Sequence, residues 1–192
     1  MTKSHLALQA LVEGAIMVAL AQLLGYLKLY SMPFGGSVTL AMLPLFLYCT
    51  RWGFGKGILA AFAFSCLQFL LDGGFAISWQ SILGDYVLAY TVIGAAGLFH
   101  NVRGGFFLGT AVGCVLRWIV LLATGATVWA EYMPEKFLGR AMTDPWIYSA
   151  IYNGIYVGLC AALCLIIGAA LYKPFGKYLK AEALQARKNG VK

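Results

Sequence analysis

Charged residues punctuate long apolar runs from one end of the chain to the other. A membrane-spanning helix needs roughly 20 such residues. The pattern therefore predicts six transmembrane helices, at residues 6–27, 38–50, 57–71, 79–99, 105–128 and 146–172. Glu13 lies inside the first run, Asp85 inside the fourth and Arg117 inside the fifth, and the sixth carries no charge. A turn-rich stretch, Tyr30-Ser-Met-Pro-Phe-Gly-Gly-Ser37, separates the first two runs. The second run is short and holds Pro44, so part of that loop is expected at membrane depth, buried in protein. Residues 51–56 read as a tight basic turn, Asp72-Gly73-Gly74 as the end of the third span, and residues 100–104 as another turn. Residues 129–145 form the long loop, and residues 173–192 a basic tail. The expected fold is an all-α integral membrane protein, with residues 1–192 as a single membrane domain.

Composition agrees. Hydrophobic residues make up 61% of the 192, and charged residues 11%, against about 25% in an average soluble domain. Mean hydropathy is +0.80. These values exclude a disordered chain, a basic nucleic-acid-binding domain and an ordinary cytosolic enzyme. The net charge of +7 matters by its placement. With six spans both termini share a side, and that side carries ten Lys and Arg residues against three on the other, with Arg117 inside a span. The excess predicts cytoplasmic termini. The first run is long enough to span and lacks a cleavage site, so no cleavable signal peptide is expected. All five cysteines lie in apolar stretches without a CxxC pair, which suits packing better than metal or redox chemistry. Small residues recur at helical spacing as Ala15 and Ala19, as Gly105, Gly109 and Gly113, and as Gly154, Gly158 and Ala162. Each row permits close helix approach, first of all within the bundle. No long internal repeat supports an inverted-repeat transporter.

Glu13, Asp85 and Arg117 are costly in lipid, and each should face a partner or a cavity. An internal pair of Asp85 with Arg117 is one possibility, and contact with a ligand is the other. Depth favours Asp85 for a ligand. It lies six residues past Trp79, roughly 9 Å below the outer face at 1.5 Å per residue. Asn153 lies seven past Trp146, roughly 10 Å deep. Trp129 follows the outer end of the fifth span, and Tyr86, Tyr148 and Tyr152 share this level. Trp79 and Trp146 read as an interfacial belt. A carboxylate, an amide and aromatic faces together suit a small, flat, cationic or amine-bearing ligand. HExxH, GxSxG, P-loop and paired-carboxylate signatures are absent, and His5 and His100 both lie at the opposite edge. No catalytic residue, metal or cofactor is therefore expected, and active transport would need a partner that hydrolyses ATP.

Several segments resemble the thiamine-binding S components of energy-coupling factor (ECF) transporters, the ThiT family, over almost the whole chain. They are the first-span run from Glu13 to Ala21, Ser31-Met-Pro-Phe-Gly-Gly-Ser-Val38 and Arg51-Trp-Gly53. Further on come Gly84-Asp-Tyr-Val-Leu-Ala89 with Gly94-Ala-Ala-Gly97, Leu116-Arg-Trp118, and Pro145-Trp-Ile-Tyr-Ser-Ala-Ile-Tyr-Asn-Gly154. The resemblance implies a six-helix S component in a bacterial cytoplasmic membrane. It would capture thiamine at the outer face, under the loop joining the first two spans. Its partners would be the ECF transmembrane coupling subunit and two ATPase subunits, with no role for nucleic acid. The family's ligand contacts fall on Asp85, Tyr86, Trp129, Tyr148 and Asn153, and its small-residue contact with the coupling subunit on Ala15 and Ala19. Two departures stand out. Leu121 occupies the place of a histidine common in the family, and the loop from Glu131 to Asp144 looks longer, through Lys136-Phe-Leu-Gly-Arg-Ala-Met142. The Leu121 departure keeps a thiamine pyrimidine precursor or a vitamin B6 vitamer as alternative ligands. A small intramembrane enzyme using Asp85 and Arg117 is the remaining alternative.

Overall fold

The structure, a computed structural model, describes residues 3–32, 35–71 and 76–188. Pro33 and Phe34 of the first loop and the Asp72-Gly73-Gly74 break lie outside these residues. Six helical segments follow in order: α1 (Lys3–Tyr26), α2 (Met42–Trp52), α3 (Phe54–Leu71), α4 (Trp79–Phe99), α5 (Gly105–Thr127) and α6 (Pro145–Lys188). All but α2 are long and apolar enough to cross a membrane. Two short antiparallel ribbons and a 3-10 turn, Ala130–Tyr132, complete the described residues. β1 (Tyr30–Ser31) pairs with β2 (Ser37–Val38), and β3 (Lys136–Phe137) pairs with β4 (Arg140–Ala141).

The second segment departs most from its expected bounds. Ser37 and Val38 belong to a ribbon, and helix begins only at Met42. Eleven residues of α2 rise only about 16 Å, half a bilayer core. The ribbon supplies the rest of the path. Tyr30 and Ser31 of the ribbon are exposed and Val38 is buried, whereas every residue of α2 from Met42 to Arg51 is buried except the half-buried Leu47. The basic turn expected over residues 51–56 shrinks to one residue. Gly53, at φ 79°, joins α2 to α3 and donates its N–H to Cys49 O at 2.9 Å. That left-handed backbone conformation favours glycine.

α4 keeps its predicted bounds but not a uniform helix. Trp79–Ser81 is α-helical, Ile82–Leu88 π-helical, Ala89–Thr91 α-helical and Val92–Phe99 a 3-10 helix. Small residues bring the last stretch almost to backbone contact with α3. A Cβ on Gly94 would lie 2.6 Å from Ile58 Cα, and one on Gly97 would lie 2.6 Å from Phe54 N. The Gly109–Gly113 row of α5 packs inward on the same stretch, against Ala96 O and Ile93 O. Those glycines serve the bundle. Phe46, Phe64, Ile93 and Phe106, all fully buried, fill the core between α2, α3, α4 and α5. The predicted tail does not leave the helix: α6 runs on through Pro174 to Lys188.

Within the described spans the ionisable groups find separate surroundings. Glu13 pairs with Arg51, which donates from Nε to Glu13 Oε2 at 2.7 Å, and it also accepts from Trp52 Nε1 at 2.7 Å and Gln9 Nε2 at 2.8 Å. This knot ties α1 to α2. Asp85 and Arg117 form no ion pair within 4.0 Å among the described residues.

Candidate functional site

A cavity of about 170 Å³ opens at the end of the bundle where the two ribbons lie. α3 contributes Gln68, α4 contributes Asp85, Tyr86 and Tyr90, and α5 contributes Arg117, Leu121 and Gly125. Trp129 and Tyr132 stand at the mouth, and α6 supplies Tyr148, Ser149, Tyr152, Asn153 and Tyr156. Gly35, Gly36 and Ser37 of the first loop close one side. All five residues singled out for a ligand, Asp85, Tyr86, Trp129, Tyr148 and Asn153, therefore line one cavity.

Local structure explains how they meet. Asp85 sits in the π-helical stretch of α4. π turns are rare and concentrate at functional positions, because the wider turn re-aims side chains. Gly84 lets this stretch lie against Thr124 of α5. Trp129, just past the end of α5, donates its indole N–H to Asp85 Oδ2 at 2.7 Å. Hydrogen bonds to a charged group are worth about 1.5–3 kcal/mol, so this bond fixes the indole beside the carboxylate. Asp85 Oδ1 has no partner among the described residues.

Asn153 is tied to α5 and to its own helix. Its amide nitrogen donates to Leu121 O at 3.2 Å, Ser149 O at 3.0 Å and Ser149 Oγ at 3.0 Å. Its Oδ1 is left for the cavity. Tyr148, Tyr152 and Tyr156 recur every four residues, hence on one face of α6. Tyr148 stacks on Tyr152 with centroids 5.6 Å apart, and Tyr152 meets Tyr156 at 5.9 Å. Tyr86 packs edge-on to Phe69 at 5.3 Å.

Both ribbons grip this tyrosine ladder. The Gly36 N–H donates to the Tyr152 hydroxyl at 2.9 Å. Phe137 of β3 packs on Tyr148 at 5.4 Å and on Tyr152 at 5.9 Å. The hairpin turns at Leu138 (φ 51°) and Gly139 (φ 77°), and Met142 N–H closes it onto Glu135 O at 2.9 Å. Residues 136–142 thus form a structured cover packed on Tyr148 and Tyr152.

Arg117 lies lowest on the α5 wall. Its guanidinium sits 3.7 Å from the Tyr90 ring centroid. The sequence reading left out Gln68, Tyr90, Ser149 and Tyr156 as wall residues. Gln68 had a visible signal, as a lone amide in an apolar run, and the tyrosines had their four-residue spacing. Ala15 and Ala19 are exposed, on an α1 face with Leu8, Leu11, Val12 and Ile16. They do not pack inside the bundle. Among the described residues no His, Cys, Asp and Glu cluster could hold a metal.

A helical bundle with five membrane-length helices, a buried second segment and an aromatic cavity under two ribbons defines a multi-pass membrane protein built to hold a small molecule. The family model described as "Thiamine transporter protein" matches residues 11–180, and the chain belongs to that family. It is 30% identical over 154 residues to the thiamine transporter ThiT of Bacillus subtilis, covering 72% of this chain and 77% of that protein. It is 25% identical over 165 residues to the thiamine transporter ThiT of Lacticaseibacillus paracasei, covering 78% and 79%. A solved structure of ThiT from Listeria monocytogenes superposes with a TM-score of 0.79 at 22% identity, over 90% of this chain and 98% of that one. That likeness establishes the helical S-component fold. The relatives are named as transporters, not as enzymes, and the chain is no enzyme.

Proposed function

We propose that this chain is the thiamine-capturing S component of an ECF-type importer, acting as one membrane domain of a bacterial cytoplasmic membrane. The Asp85–Trp129 pair carries the reading. A carboxylate with one oxygen bonded to an indole and the other unpaired offers an acceptor and an aromatic face side by side. Thiamine presents an aminopyrimidine and a cationic thiazolium ring. Trp129 stacks on the thiazolium, since aromatic faces attract desolvated cations by about 2 kcal/mol or more. Asp85, Tyr148 and Asn153 read the pyrimidine, with Tyr86 beside them.

The positive-inside pattern supports cytoplasmic termini and an outward-facing cavity. Capture then occurs from outside, and the exposed Ala15–Ala19 face of α1 docks on the transmembrane coupling subunit, which two ATPase subunits drive. Small residues permit the close backbone approach this contact needs. Leu121, buried in the cavity wall, leaves one ligand atom without a side-chain partner. A pyrimidine precursor or a B6 vitamer is the second reading on that ground.

Equilibrium binding of thiamine, hydroxymethylpyrimidine and pyridoxine to detergent-purified protein tests the assignment. Saturable thiamine binding that quenches tryptophan fluorescence, and that Asp85→Ala removes, is the expected result. Tighter binding of another compound would reassign the ligand, and intact thiamine binding in Asp85→Ala would reassign the site.

A further inference from the structure

At the end of the bundle away from the cavity, α6 does not stop where its apolar run stops. The span ends at Tyr172, and the same helix continues to Lys188. The continuation carries Lys173, Lys177, Lys180, Arg187 and Lys188. At about 3.6 residues per turn, these positions all fall in one sector of about 100° around the helix. Glu182 falls on the opposite side, roughly 180° from Lys173. Orientation in a membrane needs basic residues on one side of the bilayer. It does not need them on one face of one helix.

A second element brings charge to the same level. The ring of Phe107, in the first turn of α5, packs 5.6 Å from the ring of Tyr172. The last apolar turn of α6 and the first turn of α5 therefore lie side by side. A basic residue borders each: Lys173 on α6, and Arg103 in the turn that leads into α5. Arg103 is exposed and pairs with no carboxylate among the described residues. Two neighbouring helices thus change from apolar to basic at one level, as they must where hydrocarbon gives way to headgroups. Lys173 and Lys177 lie roughly 2 and 8 Å past Tyr172 along the axis, and a headgroup layer is about 5–8 Å thick. Lys180 lies roughly 12 Å past it, within one Debye length, about 8 Å, of that layer.

We propose that Arg103, Lys173, Lys177 and Lys180 form a binding site for anionic phospholipid headgroups in the leaflet at this end of the bundle. The occupant follows from the placement. The cations begin at the edge of the hydrocarbon and are spaced through the depth of the phosphate layer, on the face shared by successive turns. Each Lys or Arg near an anionic surface tightens its hold about fivefold. Arg187 and Lys188 share the face but lie farther from the membrane. The site stands apart from the cavity and does not depend on which small molecule the cavity holds.

Hydrogen exchange of residues 173–188, read by mass spectrometry on the full chain in nanodiscs, tests the site. Nanodiscs of phosphatidylcholine are compared with nanodiscs that also contain phosphatidylglycerol. The anionic lipid should slow exchange of this stretch about tenfold or more at low salt, and high salt should reverse the effect. Lys173→Gln, Lys177→Gln and Lys180→Gln combined should abolish it, with the melting temperature in phosphatidylcholine unchanged. The corresponding three Lys→Arg changes should keep it, and Arg103→Gln alone should weaken it. Equal exchange in the two lipids would overturn the proposal. So would protection that survives high salt or the three Gln substitutions, since an apolar contact would then hold the helix. Protection that appears only when the coupling and ATPase subunits are added would assign the basic face to a protein and overturn the lipid site. Full protection in Arg103→Gln would overturn the sharing of the site between α6 and the turn before α5.

Discussion

Glu13 and Asp85 are both carboxylates set in apolar helices, and their surroundings diverge. Glu13 is closed off. Arg51, Trp52 and Gln9 all donate to it, across α1 and α2. Asp85 has one donor, Trp129, and an empty side toward the cavity. Both are expensive positions for a charge. A saturated carboxylate holds helices together, whereas a half-saturated one waits for a donor from outside the chain. Saturation, more than burial or sequence position, separates the structural acid from the one proposed to bind the ligand.

That contrast can be broken in four ways. The largest effect belongs to Glu13→Ala, which removes the carboxylate that the buried Arg51 bonds. Loss of one partner of a buried pair costs about 3–5 kcal/mol. Thermal unfolding in detergent should show a large drop in melting temperature, while the folded fraction keeps its thiamine affinity. Lost affinity without lost stability would reverse the two roles.

Asp85→Asn comes next. It keeps shape and removes charge, so thiamine binding should weaken about 10- to 100-fold, with little change in the unliganded melting temperature. Calorimetry reads the first and a thermal scan the second. A stability loss like that of Glu13→Ala would erase the distinction.

Gly84→Ala tests how Asp85 is placed without touching it. The added methyl collides with Thr124 and pushes α4 from α5. Binding should fall about tenfold, since small misplacements of a site are costly. Thr124→Ala in the same chain should restore part of the loss. Failure of that rescue would mean that the α4–α5 contact does not set the carboxylate.

The smallest effect is expected at the cover. Phe137→Ala removes the ring packed on Tyr148 and Tyr152, a contact worth about 0.5–1.5 kcal/mol. Stopped-flow fluorescence should show a dissociation rate raised about two- to tenfold. An unchanged rate would leave the hairpin without a part in retention.

Apolar runs and charge punctuation placed α1, α3, α4 and α5 to within three residues at each end, because hydropathy reports the solvent a segment meets. α2 was not bounded correctly. Its strand-to-helix switch at residues 38–42 depends on neighbours that cover the backbone, which no local pattern records. Asp85 and Asn153 were legible because polar groups are rare at such depth. Gln68 was equally rare and equally visible. It passed unremarked in the sequence reading, although its unpaired oxygen marks an unmet hydrogen bond. Spacing did not tell the small-residue rows apart, and only the family resemblance set Ala15 and Ala19 aside for a contact outside the bundle. Gly109–Gly113 turned inward and Ala15–Ala19 outward, and spacing alone is the same for both.

The π-helical stretch from Ile82 to Leu88 has a consequence for how such proteins diverge. A π turn holds about one residue more than an α turn, so it behaves as an insertion stored inside a helix. Deleting one residue there would restore α geometry without shortening a loop. Everything on the Trp79 side would swing by about 100°, while Val92–Phe99 stayed clamped between its glycine contacts. The chain can therefore change which side chain faces the ligand by altering length, at fixed composition, and keep the rest of the bundle in register.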